Sequence, residues 1–234
     1  MALDMRAFEA YRHSAGDKAT LARLFVGAVL VGLAWLLVTF AVVFAAFLFS
    51  DAYAEGFASL GGFMASRIGV LAALSSFAGI WIGLWLVMRF VHRERLALLL
   101  GAAQRLSWPG FCKGLAAVLV TSFISEIAIY AIAPGIERTP IAWTAWLAFL
   151  LPVLLLTLLQ TSAEEVLFRG YLMRGLANRF ASPLVWGVLP AVAFTLMHWN
   201  SGAPWAMNLT VLATIGSFAA LLTLLVVATG NLGA

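Results

Sequence analysis

The sequence predicts an all-α polytopic membrane helix bundle, and three observations carry that reading. Of the 234 residues, 64% are hydrophobic and only 10% charged, with a mean hydropathy of +1.02, whereas soluble domains run near one half apolar. The apolar residues fall into six runs: Leu24–Ser50, Ile68–Phe90, Leu115–Ala133, Ile141–Ser162, Leu184–Trp199 and Leu209–Ala228. Each is close to the ~20 residues that a helix needs to cross hydrocarbon. The basic residues, finally, alternate between the connections in a way that only six spans preserve.

Twelve of the fourteen basic residues fall on one side. Arg6, Arg12, Lys18 and Arg23 precede the first run. Arg89, Arg93, Arg95, Arg105 and Lys113 lie between the second and third, and Arg169, Arg174 and Arg179 between the fourth and fifth. Only Arg67 and Arg138 occupy the alternate connections. By the positive-inside rule both termini are cytoplasmic. The whole chain, residues 1–234, reads as one membrane domain, with 1–23 as its cytoplasmic N-terminal segment. A bacterial inner (plasma) membrane is the expected location, with membrane lipids as immediate partners.

Taken in order, the first run is about 27 residues long, well beyond the ~7–15 of a signal-peptide core, so it is expected to be retained. In the second, Gly79-x-x-x-Gly83 is small-residue spacing for close helix packing. The third carries Glu126 at mid-span, an expensive position that fits either a hydrogen bond to a neighbouring helix or a place in a cavity. Pro134-Gly135, Ser182-Pro183 and Asn200-Ser201-Gly202-Ala203-Pro204 are turn chemistry between the later runs. Most tryptophans (Trp35, Trp81, Trp85, Trp143, Trp146, Trp186, Trp199, Trp205) suit interfaces and packing. The single cysteine, Cys112, excludes an intramolecular disulfide and a multi-cysteine metal site, and is expected to pack near a helix start. The scattered positive charge excludes a nucleic-acid partner.

The fourth run ends in Ser162-Ala163-Glu164-Glu165-Val166-Leu167-Phe168-Arg169. Insertion scales put one acidic residue at a helix centre at roughly 2.5–3.5 kcal/mol, and two in succession are hard to explain by packing. If the helix continues to about Arg174, Glu165 and Arg169 stand four apart as an ion pair. Glu164 then points ~100° away and stays available as a base. In the fifth run, Phe194 and His198 share a helix face one turn apart. A lone histidine at a span's end is more often an interfacial hydrogen-bonder. Beside a carboxylate at a common depth, it can help to activate water or bind a metal.

Glu164-Glu165-x-x-x-Arg169 followed by Phe194-x-x-x-His198 resembles the CPBP (Abi) family of intramembrane metalloendopeptidases, the CAAX-processing and bacteriocin-immunity proteases. The resemblance runs from about Pro140 to the C-terminus and includes Phe168-Arg169-Gly170-Tyr171-Leu172 and Thr229-Gly230-Asn231-Leu232. It implies peptide-bond hydrolysis by water activated on Glu164, with Glu165 and Arg169 orienting the site and His198 in metal binding or transition-state stabilisation. It also implies a divalent metal such as zinc, with Glu164 and His198 as its ligands. In the CAAX-processing branch the substrate is a lipidated C-terminal peptide.

One departure stands out. The family's last motif, a His with an Asn or similar residue one turn later, follows a Gly-Asn/Ser-Leu turn; here Gly230-Asn231-Leu232 is present and the sequence stops at Ala234. Either the sequence is cut short of that motif, the favoured expectation, or the protein is an impaired protease acting as a membrane scaffold, as in bacteriocin immunity. His13 and His92 lie in or beside cytoplasmic segments and match no part of the pattern. A small transporter is the third alternative, but it would spread polar residues over several spans. Here they gather in the fourth and fifth.

Overall fold

The computed structural model describes residues 5–16, 18–133, 135 and 141–233. Pro134, Arg138 and Pro140, named above for a turn, an outer-side charge and the start of the family-like region, lie outside the described residues. Among the described residues the chain is helical throughout, with one isolated antiparallel bridge between Gly101 and Asn231.

A short amphipathic helix, α1 (Arg6–His13), precedes α2 (Leu21–Leu48), which is capped by the Thr20 hydroxyl. The short α3 (Leu60–Ala65) leads into α4 (Arg67–His92), where the Ser66 hydroxyl accepts from the Gly69 amide. Then follow α5 (Trp108–Ile132), α6 (Trp143–Ala177), α7 (Leu184–Leu196) and α8 (Trp205–Thr229). Each of α5, α6 and α8 opens on an exposed tryptophan, the amphipathic ring that membrane interfaces favour. Five of these helices, α2, α4, α5, α6 and α8, are long and apolar enough to cross a bilayer. They make the chain an integral membrane protein.

The fifth apolar run departs from the six-span expectation. Its helix, α7, has five π-helical and eight α-helical residues, about 20 Å at ~1.5 Å per residue. That falls short of a ~30 Å hydrocarbon core. The chain turns early because Asn208, buried at the start of α8, reaches back to it. The Asn208 side chain accepts from the Asn200 amide at 2.9 Å and donates to the Asn200 carbonyl at 2.8 Å. These bonds satisfy a turn that hydrocarbon could not.

Close approach of α2 and α4 rests on the two glycines singled out in the sequence. A Cβ at Gly79 would sit 2.8 Å from the Trp35 Cα, and one at Gly83 would sit 2.8 Å from the Val31 Cα. Around that seam gather Leu24, Val31, Ile80, Leu84, Val87, Met88, Ala163 and Val166, so α2 and α4 form one wall against which α6 packs.

The N-terminal segment is more than a tail. Phe8 and Tyr11 of α1 are fully buried against Met173, Ala177, Trp186, Val226 and Val227, from α6, α7 and α8. The Tyr11 hydroxyl donates to the Leu99 carbonyl at 2.7 Å. Burial pushes the Tyr11 phenol far above its ordinary range, so it stays a donor at any physiological pH.

The helix α5 behaves differently. None of its residues is buried, and it shares no extensive contact with another element. Cys112, one turn into α5, is consequently exposed rather than packed, and Glu126 is exposed as well.

Candidate active site

The fourth run continues past Ser162 as one helix to Ala177, carrying Glu164, Glu165 and Arg169 within it. Directly after Glu165 the backbone changes from α to π over Val166–Met173. Such i→i+5 segments are rare and frequent at functional sites.

Arg169 is the anchor. Its guanidinium is 2% exposed and pairs with the Glu165 carboxylate at 2.8 Å. It also donates to the Ala219 carbonyl of α8 at 3.3 Å and lies 4.7 Å from the centre of the Phe194 ring of α7. One buried cation thus joins α6, α7 and α8 through an ion pair, a hydrogen bond and a ring face. It sits inside the bundle, so it does not act as the loop charge counted in the sequence reading. The Phe168 and Phe194 rings meet at 5.1 Å and seal the junction.

Glu164 is half-buried and takes no part in that ion pair. Its carboxylate accepts from the Gln160 amide at 3.3 Å. His198 lies in the turn after α7, half-buried, with its ring 4.9 Å from that of Phe194. Its Nδ1 is 2.9 Å from the Phe194 carbonyl oxygen. A carbonyl only accepts, so Nδ1 carries a proton, and Nε2 is the ring nitrogen left to bear a lone pair. The imidazole is connected to Glu164's neighbour through Phe194 and Arg169, which pairs with Glu165. No direct hydrogen bond or ion pair joins His198 to Glu164 among the described residues.

Glu164, Glu165, Arg169 and His198 therefore belong to one neighbourhood at the α6–α7–α8 junction. Glu126 does not join them. Neither does Asn231, whose side chain donates to the Arg105 carbonyl and accepts from the amides of Ser107 and Gly233. A groove of about 620 Å³ between α7 and α8 is lined by Trp186, Ala191, Thr195, Gly216 and Leu224 and is almost wholly apolar. Neither Glu164 nor His198 lines it.

Three contributors escaped the sequence reading. Gln160, four residues before Glu164, could have been found by helical spacing. Asn208, an amide at the head of an apolar run, could have been flagged as polar where hydrocarbon is expected. His92, set aside as matching nothing, is buried, and its Nε2 lies 2.9 Å from the Tyr171 hydroxyl. That hydroxyl's one proton serves the carbonyls of Arg23 and Leu24, each at 3.3 Å, so His92 donates to it. Nothing local in the sequence linked His92 to Tyr171.

The family resemblance implies a divalent metal, and part of a donor set for one is present. Glu164 and the Nε2 of His198 are suitable ligand atoms, and the Phe194 carbonyl holds the ring tautomer as such ligands require. Among the described residues no group of three or more His, Cys, Asp or Glu side chains gathers there. Structural and catalytic zinc sites use at least three protein ligands. The described residues do not make a complete set, and no step below passes through a metal.

Comparison with known proteins agrees with the resemblance. Residues 143–234 match the family model described as type II CAAX prenyl endopeptidase Rce1-like, consistent with the CPBP family. The chain is 26% identical over 132 residues to the uncharacterized protein YyaK of Bacillus subtilis (strain 168), a match covering 53% of this chain and 44% of that relative. The chain thus spans less than half the length of the curated relative it matches. No solved structure matches the chain. The matched stretch runs from the start of α6 past the end of α8, and it contains every residue of the junction just described.

Proposed function

From that premise we propose that the chain is an intramembrane endopeptidase of the CAAX-processing type, acting on a peptide or protein substrate with a lipidated C-terminal segment. The observation that carries the reading is the unequal fate of two adjacent carboxylates. Glu165 is neutralised by Arg169, whereas Glu164 has only a neutral amide.

In the proposed reaction a water is held between the Glu164 carboxylate and the Nε2 lone pair of His198. Glu164 takes one proton from it as the oxygen attacks the scissile carbonyl. When the tetrahedral species collapses, Glu164 returns that proton to the departing amine, so the carboxylate is regenerated. Arg169 and Glu165 position the base by fixing the helix that bears it and do not touch the substrate. We further propose that both termini face the cytoplasm of a bacterial inner membrane, from the basic asymmetry and because Asn231 bridges Gly101 and α1 docks against α8, with α7 and the turn after it entering the membrane from that side and α8 returning to it.

The test is cleavage of a farnesylated C-terminal peptide by the purified full chain in lipid. Glu164→Gln keeps the shape and the Gln160 contact but removes the base, and should lower the rate by ~100-fold or more while leaving expression and helicity unchanged. Undiminished cleavage by that variant would sink the assignment of Glu164. No cleavage by the unsubstituted chain would move the reading to the scaffold. Reporter fusions at Gly101 and Ala181 should read inside and at Gly56 and Gly135 outside; an outside signal at Ala181 refutes the orientation.

A further inference from the structure

At the basic end of α4 the backbone makes an abrupt turn. Arg93 closes the helix in the left-handed region at φ 56°, a conformation that a side chain this size adopts at a cost. Arg89, Arg93 and Arg95 line one cavity of about 690 Å³ together with Lys18. The one acidic lining residue, Glu94, turns its carboxylate inward to Arg174 at 3.4 Å and is 9% exposed. Lys18, Arg93 and Arg95 have no ion-pair partner among the described residues, and Arg89 meets only the face of Phe90. The other walls are Trp85, Leu96 and Leu98.

Four unpaired cations around one concavity need an anion with several acceptor oxygens, and a phosphate offers them in the geometry that guanidinium forks match. The remaining walls choose between sources. Trp85 is 52% exposed and edges onto Phe90, and Ile82 and Leu86 continue the exposed apolar flank of α4 away from the cations. Phosphate recognition therefore adjoins a surface for hydrocarbon chains, with an interfacial tryptophan between them. We propose that this cavity binds the headgroup of an anionic membrane phospholipid, with acyl chains along the Ile82–Leu86 flank. The cavity is also linked to the Rce1-like region, because Glu94 pairs with Arg174 and His92 with Tyr171. The proposal does not depend on the protease reading.

Native mass spectrometry of the detergent-purified full chain, mixed with equimolar dioleoyl phosphatidylglycerol and dioleoyl phosphatidylcholine, reads the site directly. One phosphatidylglycerol should be retained in preference to phosphatidylcholine. Arg93→Gln/Arg95→Gln should reduce that retention by about fivefold per side chain removed. The charge-matched Arg105→Gln/Lys113→Gln, outside the cavity at the same end, should leave it unchanged. All four residues are exposed, so their loss should not unfold the chain, which circular dichroism checks. Equal retention of the two lipids, or equal losses in the two double variants, would overturn the proposal in favour of general surface attraction. Displacement of the lipid by millimolar inorganic phosphate would overturn it in favour of a soluble phosphate ligand.

Discussion

Glu126 and the Glu164–Glu165 pair lie on helices of similar apolar character, yet their surroundings could hardly differ more. Glu126 is exposed on α5, where no residue is buried. Glu165 meets a 2% exposed arginine, and Glu164 meets Gln160. The contrast is set four residues away in the sequence. On α6 the neighbours one turn off are Gln160 and Arg169, whereas on α5 they are Ser122 and Tyr130. Intramembrane carboxylates carry a similar desolvation cost wherever they occur; what separates the α6 site from Glu126 is a buried cation one turn away that is itself held by neighbouring helices.

The sharpest way to break this comparison is Arg169→Ala. It strands the Glu165 carboxylate and cuts the tie between α6, α7 and α8, so a loss of about 3–5 kcal/mol is expected. Unfolding in mild detergent would show it, and Glu165→Met/Arg169→Met should recover much of the loss because no charge is left unpaired. A wild-type melting point for Arg169→Ala would end the argument. Asn208→Ala should act more locally, by about 1–3 kcal/mol, because it leaves the Asn200 backbone unsatisfied. Faster hydrogen exchange across residues 200–203 is the signature, and unchanged exchange there would show that the turn holds itself. Smallest of all is Glu126→Gln, which should leave thermal stability in detergent indistinguishable from the parent. A marked loss would mean that Glu126 has a partner after all and that the two regions are alike.

Legibility in the sequence followed the range of the interaction. The Glu165–Arg169 pair, the persistence of α6 past Ser162 and the glycine seam of α4 depend on residues within one or two turns, and helical spacing shows such features directly. The ring contact of Phe194 with His198 one turn apart was equally local. What stayed hidden depends on contacts far apart along the chain. The shortness of α7 follows from Asn208 capturing Asn200, and hydropathy alone extended that run to Trp199. The burial of His92 depends on Tyr171, 79 positions away. Cys112 was expected to pack because helix starts usually do, but α5 offers nothing for it to pack against.

The docking of α1 has a consequence in time. Phe8 and Tyr11 leave the ribosome well before their pocket, which needs Leu99, Met173, Trp186 and Val226. At ~5–20 residues per second, the last wall of that pocket arrives on the order of ten seconds or more after its occupant. Until then the apolar face of α1 lacks the Met173, Trp186 and Val226 side chains that cover it in the folded chain. A helix made before all the others described is therefore seated only when α6, α7 and α8 have arrived to receive it.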